Sequence, residues 1–318
     1  MSTLPQEIII EEILKRLSVK SLVKLRVYDR GRSPNVLSIL SLNNLSETCI
    51  DKVPYSVSKS NDNDINLIGS INGLVCLTCF SCYRCRFLIW NPVIHRSKKI
   101  LLPRLLPKNY GRALKNSLCG FGWDSMTNDY KVMIKVEDSV EVAVYSCRTD
   151  CWSYKPDDCD VSWRSFQFPS VIVKGVPYWK DYDGKKIIKF EVRTNRFTSL
   201  VNTDPISPYY TLANIYDSLA RIDYSDFIDV DLFDEEHGVW SKMYGIKDVI
   251  TRSMMTPMCF KYGGEIVYVA YKEKVNCYDP KSDETKVLLN CEKEHSRGFS
   301  YTPSLLSLDG MSSTSLWI

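Results

Sequence analysis

Apolar residues recur along this chain with two different periods. In the opening stretch "LPQEIIIEEILKRLSVKSLVKLR", Ile9, Ile13, Leu14 and Leu17 fall on one face at a 3.6-residue spacing, which predicts an amphipathic helix. Thr3 followed by Gln6 resembles a capping box, and Pro5 suits a first helical turn. Ser18 can cap a second short helix with Leu22 and Leu25 on its inner face and Lys20, Lys24 and Arg26 outside. Two helices of this length cannot bury a stable core by themselves. Their apolar face is either kept for a partner or laid on the rest of the chain, and the pattern fits both.

Beyond the polar stretch "SNDNDIN" at 60–66, the period changes from 3.6 to 2. Five segments repeat one plan of short strand, turn, strand, polar turn and strand. The corresponding positions Trp90, Tyr145, Phe190, Leu232 and Tyr278 lie 55, 45, 42 and 46 residues apart. Units of this size built from short strands predict propeller blades, whereas a two-sheet sandwich gives no such steady repeat. "SLCGFGWD", "SVIVKG" and "MCFKYGG" supply a further strand ahead of several units, and "YTPSLLSL" is placed to close the ring. A lone blade exposes apolar faces, so Trp90, Trp123, Trp152, Trp179 and Trp240 are expected first of all between blades. The fold class is therefore mainly β with a small α module at the start, the body being a β-propeller-like, kelch-like domain.

Composition changes this picture little. The 318 residues are 44% hydrophobic and 25% charged, ordinary for a globular protein, and 19 tyrosines suit pleated sheet. A formal charge of +3 is too small to argue for a nucleic-acid partner. No run of about 18 apolar residues predicts a membrane span. The start lacks a basic region followed by an apolar run, so it does not read as a secretory signal. The 12 cysteines are then expected as reduced thiols in the cytoplasm or nucleus.

Candidate chemistry is sparse. "CLTCFSCYRC" steps four cysteines at three-residue intervals, but along a hairpin these alternate between faces and converge poorly on a metal. His95, His237 and His295 all read as loop residues without a nucleophile motif beside them. Asp229 and Asp231 share a strand and are expected to face solvent rather than form a glycosidase pair. No catalytic residue, metal ligand or cofactor is assigned from the residues.

The opening stretch resembles the first half of a plant F-box. Leu4, Pro5, Ile9, Glu12, Ile13, Leu14, Arg16, Leu17, Val19, Lys20, Ser21, Leu22, Leu25 and Arg26 match its pattern. The body resembles the F-box-associated domain of the same proteins through "INGLVCL", "IWNPVIHRSKKILLP", "CGFGWDSMTNDYKVMIKV", "GVPYWKD", "KFEVRTNRF" and "CYDPKSDETKVL", with the S-locus F-box group nearest. The resemblance spans 4–310 and divides the chain into an F-box (1–45), a linker (46–66), the propeller-like domain (67–310) and a tail (311–318).

The resemblance implies a substrate-receptor subunit of a Skp adaptor–cullin–F-box ubiquitin ligase, itself non-catalytic. Leu4, Pro5, Ile9, Ile13, Leu14, Leu17, Val19, Lys20 and Leu22 would contact the Skp-type adaptor or form the F-box core. The β-domain would hold a protein client, and the S-locus likeness implies a ribonuclease client and a role in self-incompatibility. One departure stands out: Val27 runs directly into "YDRGRSPN", so the segment that carries the third F-box helix and its tryptophan is missing. That leaves a second reading, a binding-only relic that no longer recruits the ligase. A third is a propeller enzyme or lectin.

Overall fold

The computed structural model describes residues 21–26, 36–41, 47–50, 65–81, 84–102, 117–136, 139–157, 171–181, 184–201, 210–223, 228–246, 256–260, 265–270, 274–282, 284–290 and 297–313. Three strands come from the stretch where the sequence places the F-box and linker: β1 (Ser21–Arg26), β2 (Val36–Ser41) and β3 (Glu47–Ile50). The five repeats then follow in order. The first blade holds β4 (Ile65–Ile71), β5 (Leu74–Ser81), β6 (Arg84–Asn91) and β7 (Arg96–Leu101), and the second β8 (Leu118–Asp124), β9 (Asp129–Lys135), β10 (Glu141–Ser146) and β11 (Cys151–Pro156). The third holds β12 (Val171–Val173), β13 (Val176–Lys180), β14 (Lys186–Glu191) and β15 (Arg196–Val201). The fourth holds β16 (Tyr210–Ile215), β17 (Ser218–Asp223), β18 (Ile228–Asp234) and β19 (Val239–Ile246). The fifth holds β20 (Thr256–Phe260), β21 (Ile266–Ala270), β22 (Lys274–Asp279) and β23 (Glu284–Asn290), and β24 (Arg297–Tyr301) and β25 (Ser312–Ser313) end the chain.

These strands form six antiparallel sheets, and the sixth joins the two ends of the chain in the order β24-β1-β2-β3. The innermost strands close the ring: β24 packs against β4, β4 against β8, β8 against β13, β12 against β16, β16 against β20, and β20 against β24. The architecture is a β-propeller, as the repeat spacing predicts. All five repeat positions fall on the third strand of a blade, and the three further strands named from sequence are the innermost ones, β8, β12 and β20.

Burial explains why the ring must close. In β9 every side chain is buried, while in β11, at the outer edge, every side chain is exposed or only half-buried. Each core cluster draws on two or more blades. Leu118, Met133 and Val144 of the second blade pack with Trp179, Ile188 and Phe190 of the third. Ile215, Ile222 and Val230 of the fourth pack with Ile266, Tyr268 and Tyr278 of the fifth. Trp90 and Trp179 are buried at such seams, whereas Trp123, Trp152 and Trp240 are only partly covered.

Two expectations are corrected. Ser21–Arg26, read as the second short helix with Leu22 on its inner face, is strand β1. It pairs with β2 on one side and β24 on the other, so Leu22 stands opposite Leu40 and Ser300. A short helix must pay its nucleation cost against few hydrogen bonds, whereas a strand between two partners satisfies both edges of its backbone. Secondly, the strand that closes the ring is Arg297–Tyr301, and most of "YTPSLLSL" runs on as an extended strap without pairing. Leu306, Leu308 and Met311 of the strap pack on the core of the first two blades. Ser312–Ser313 then add a fifth strand beside β7.

Deleting residues 1–50 should therefore open the ring, not merely trim a docking module. A chain lacking 1–50 is expected to melt on the order of 10 °C below one lacking only 1–20, as measured by circular dichroism.

Candidate functional site: the mouth of the ring

Three two-residue turns stand round one end of the central axis. Asn72-Gly73 joins β4 to β5, Lys174-Gly175 joins β12 to β13, and Tyr216-Asp217 joins β16 to β17. All six residues lie in the left-handed region, with φ between 48° and 82°. Such turns match the right-handed twist of the strands they connect, and Asn-Gly is their favoured pair. With Trp123 at the end of β8, and Ser300 and Thr302 at the end of β24, the turns enclose an open cavity of about 380 Å³. Ile71 and Ile172 are almost wholly buried within its lining.

Bonds between blades hold the rim in one shape. The Asn72 side-chain amide donates to the Tyr130 hydroxyl at 2.8 Å, linking the first blade to the second. The Trp123 backbone N–H donates to the Gly175 carbonyl at 2.9 Å, linking second to third. The Asn214 amide donates to the Ile172 carbonyl at 3.1 Å, linking third to fourth. From the strap, the Ser304 hydroxyl donates to the Asn72 carbonyl at 2.6 Å. Gly175 is required here for space as well as conformation, because a Cβ on it would lie 2.7 Å from the Trp123 carbonyl oxygen. Trp123 is braced on its other sides: its ring stacks on Tyr130 at 6.1 Å, and its Nε1 donates to Asn128 Oδ1 at 3.1 Å. Burial raises the Tyr130 hydroxyl above its ordinary pKa, so it stays neutral in the rim.

A second set of contacts anchors the strap. The Asn91 side-chain amide donates to the carbonyls of Ser304 at 3.0 Å and Leu306 at 2.8 Å. Lys98 Nζ, nearly buried, donates to the Asp309 carbonyl at 2.9 Å and pairs with Asp150 at 2.9 Å. The Tyr145 hydroxyl and then Lys98 hold the Asp150 carboxyl below its ordinary pKa. The strap is thus tied to both the first and second blades.

A family model described as the F-box associated beta propeller domain matches residues 26–212 of this sequence. The chain belongs to that family. An Arabidopsis thaliana protein named as a probable F-box protein is 28% identical over 145 residues, which cover 41% of this chain and 81% of that one. TolB from Acinetobacter baumannii is similar in fold, with a TM-score of 0.51 at 12% identity over 90% of this chain and 67% of TolB. A virginiamycin B lyase from Staphylococcus aureus reaches 0.48 at 11% identity over 89% of this chain and 93% of the lyase.

Among the described residues, the histidines and acidic residues singled out from sequence lie apart from the mouth of this F-box associated propeller. His95 is exposed on the turn after β6, and His237 lies on the turn after β18 with its Nδ1 2.8 Å from Asp234 Oδ2. That contact chiefly, helped by backbone N–H donors, keeps the Asp234 carboxyl below its usual range. His295 lies outside the described residues. The Asp229 side chain is open to solvent, as strand alternation predicts, whereas that of Asp231 is largely covered. Both keep the regular register of β18 with β17, and each has its own cation: Lys242 at 2.8 Å for Asp229 and Arg221 at 2.7 Å for Asp231. Arg221 is buried and lies 4.7 Å over the Trp240 ring. These partners on β17 and β19 could not be read from spacing alone.

The cysteine run spans β5 and β6. Cys76 is buried, Cys79 stands opposite Arg86 and Cys85 opposite Phe80, while Cys82 lies outside the described residues. Among the described residues no group of His, Cys, Asp or Glu is arranged to hold a metal. Burial raises the Cys76 thiol well above its ordinary pKa and pushes Cys147 up to about 12, so both stay protonated at neutral pH. Of the adaptor residues named from sequence, Leu4, Pro5, Ile9, Ile13, Leu14, Leu17, Val19 and Lys20 lie outside the described residues. Leu22 is in β1. Sequence reading assigned no client-binding residue, although "NG" at 72–73 and "KG" at 174–175 are turn signals that mark two corners of the mouth.

If the acidic pair is structural, its two members should respond differently to truncation. Asp231→Ala removes the carboxylate bonded to the buried Arg221 guanidinium and is expected to cost about 2–3 kcal/mol in urea unfolding, with Asp229→Ala close to neutral.

Proposed function

We propose that this chain is the substrate-receptor subunit of a Skp–cullin–F-box ubiquitin ligase. The observation that carries the reading is the F-box associated propeller match, which begins at residue 26 directly behind the F-box-like stretch. In this account Leu4, Pro5, Ile9, Ile13, Leu14, Leu17, Val19, Lys20 and Leu22 provide the adaptor-facing module, and the propeller mouth holds a protein client. The chain performs no covalent step. Its contribution is tethering, which raises the local concentration of client beside the ubiquitin-charged enzyme to around the millimolar range. The work takes place in the cytoplasm or nucleus, with thiols such as Cys76, Cys147 and Cys151 unoxidised. The S-locus resemblance makes a secreted-type ribonuclease the first client to test, in the setting of self-incompatibility.

One observation favours a second reading. Ser21–Arg26, the part of the F-box pattern that includes Leu22, is a strand of the sixth blade, and the third-helix segment is missing from the sequence. A chain that spends those residues on closing its own ring is a client-binding propeller that no longer recruits the ligase.

Affinity purification separates the two. The receptor reading expects a Skp-type adaptor to co-purify with the full chain and to fall at least tenfold in Leu14→Arg/Leu17→Arg, with the melting temperature unchanged. An adaptor absent from the wild-type capture, with a client still bound, would establish the relic instead.

A further inference from the structure

We propose that the mouth reads a short projecting segment of its protein client in which an acidic and a basic residue bracket one apolar side chain. The proposal rests on the receptor reading only in taking the ligand to be protein. Two features of the rim lead to it, one of charge and one of conformation.

The third-blade turn puts Lys174 on the rim and the fourth-blade turn puts Asp217 there, both exposed. Among the described residues neither side chain has an ion-pair partner, whereas Lys98, Lys135, Arg221 and Lys242 all do. Opposite charges on adjacent turns complement a ligand with opposite charges a few residues apart. The same cavity is lined by the rings of Trp123 and Tyr216, with Ile71 and Ile172 nearly buried in its wall, which suits an apolar side chain and not a third charge. At about 380 Å³ the space is at the small end of ligand pockets, so it admits a projecting tip and not a broad surface.

The conformational feature is Tyr216. It holds φ 51° at the first position of its turn, is 46% exposed and lies on the cavity lining. The equivalent position in the first-blade turn is Asn72, a residue far better tolerated in the left-handed region. A bulky ring in that region strains the backbone, and strain of this kind clusters at ligand sites. Tyr216, like the braced Trp123, then offers an aromatic surface against which the inserted segment lies.

Fluorescein-labelled peptides on the full chain test this directly. The probes carry Asp-Leu-Lys, Lys-Leu-Lys, Asp-Leu-Asp, Ser-Leu-Ser or Asp-Ser-Lys between Gly-Ser flanks. Wild type is expected to bind the Asp-Leu-Lys probe with a Kd on the order of 100 µM and the others at least tenfold more weakly. Lys174→Asp should shift the preference to Lys-Leu-Lys. Tyr216→Asn should raise the melting temperature by about 2 °C while weakening the Asp-Leu-Lys probe at least fivefold. Equal affinity for all probes, no saturable binding at 1 mM, an unchanged preference in Lys174→Asp, or a Tyr216→Asn chain with lower stability and unchanged affinity would each overturn the proposal. Because no adaptor enters this assay, its failure is distinct from a failure of adaptor capture.

Discussion

Everything in this molecule depends on the closure of its innermost strands. A blade buries both faces of its sheet only when a neighbour stands on each side, so a ring with one blade missing exposes two apolar faces at once. The closing blade is built from both ends of the chain, β24 from one and β1, β2 and β3 from the other. Ring closure and the N-terminal segment are for this reason a single question. The same residues that complete a pattern for adaptor binding also complete a sheet.

Closure also makes a binding site out of turns that would otherwise move independently. Four hydrogen bonds link the strap and the first four blades through Ser304, Asn72, Tyr130, Trp123, Gly175, Asn214 and Ile172. The geometry of the mouth is therefore inherited from the seams between blades and not from any one blade. The left-handed turns serve this arrangement by bringing backbone carbonyls and amides of adjacent blades within bonding distance. Pre-organisation of this kind lowers the ordering cost of capturing a flexible segment.

Much of the architecture was legible in the sequence because period-2 alternation and steady spacing are direct consequences of stacked sheets. Trp90, Tyr145, Phe190, Leu232 and Tyr278 mark the third strands because each blade repeats the same order of strands and turns. The sixth blade was hidden for a physical reason. "SLVKLR" carries apolar residues that satisfy either a helical face or a strand, and its strand partners lie far along the chain, at Arg297–Tyr301, where no local signal points back to it. The mouth was half legible. Asn72-Gly73 and Lys174-Gly175 announce turns, but Tyr216-Asp217 contradicts residue preference and emerges only from the φ angles. The different cations of Asp229 and Asp231 come from the two neighbouring strands, β19 and β17, which alternation counting within one strand cannot anticipate.

The account stands on Ser21–Arg26 being held as a strand between β2 and β24. Hydrogen–deuterium exchange on the full chain without partners measures this most directly. The account predicts that the amides of 21–26 are protected to the same degree as those of 297–301 and lose protection together with them. Exchange of 21–26 at the rate of an unstructured peptide, while 297–301 stays protected, would contradict it.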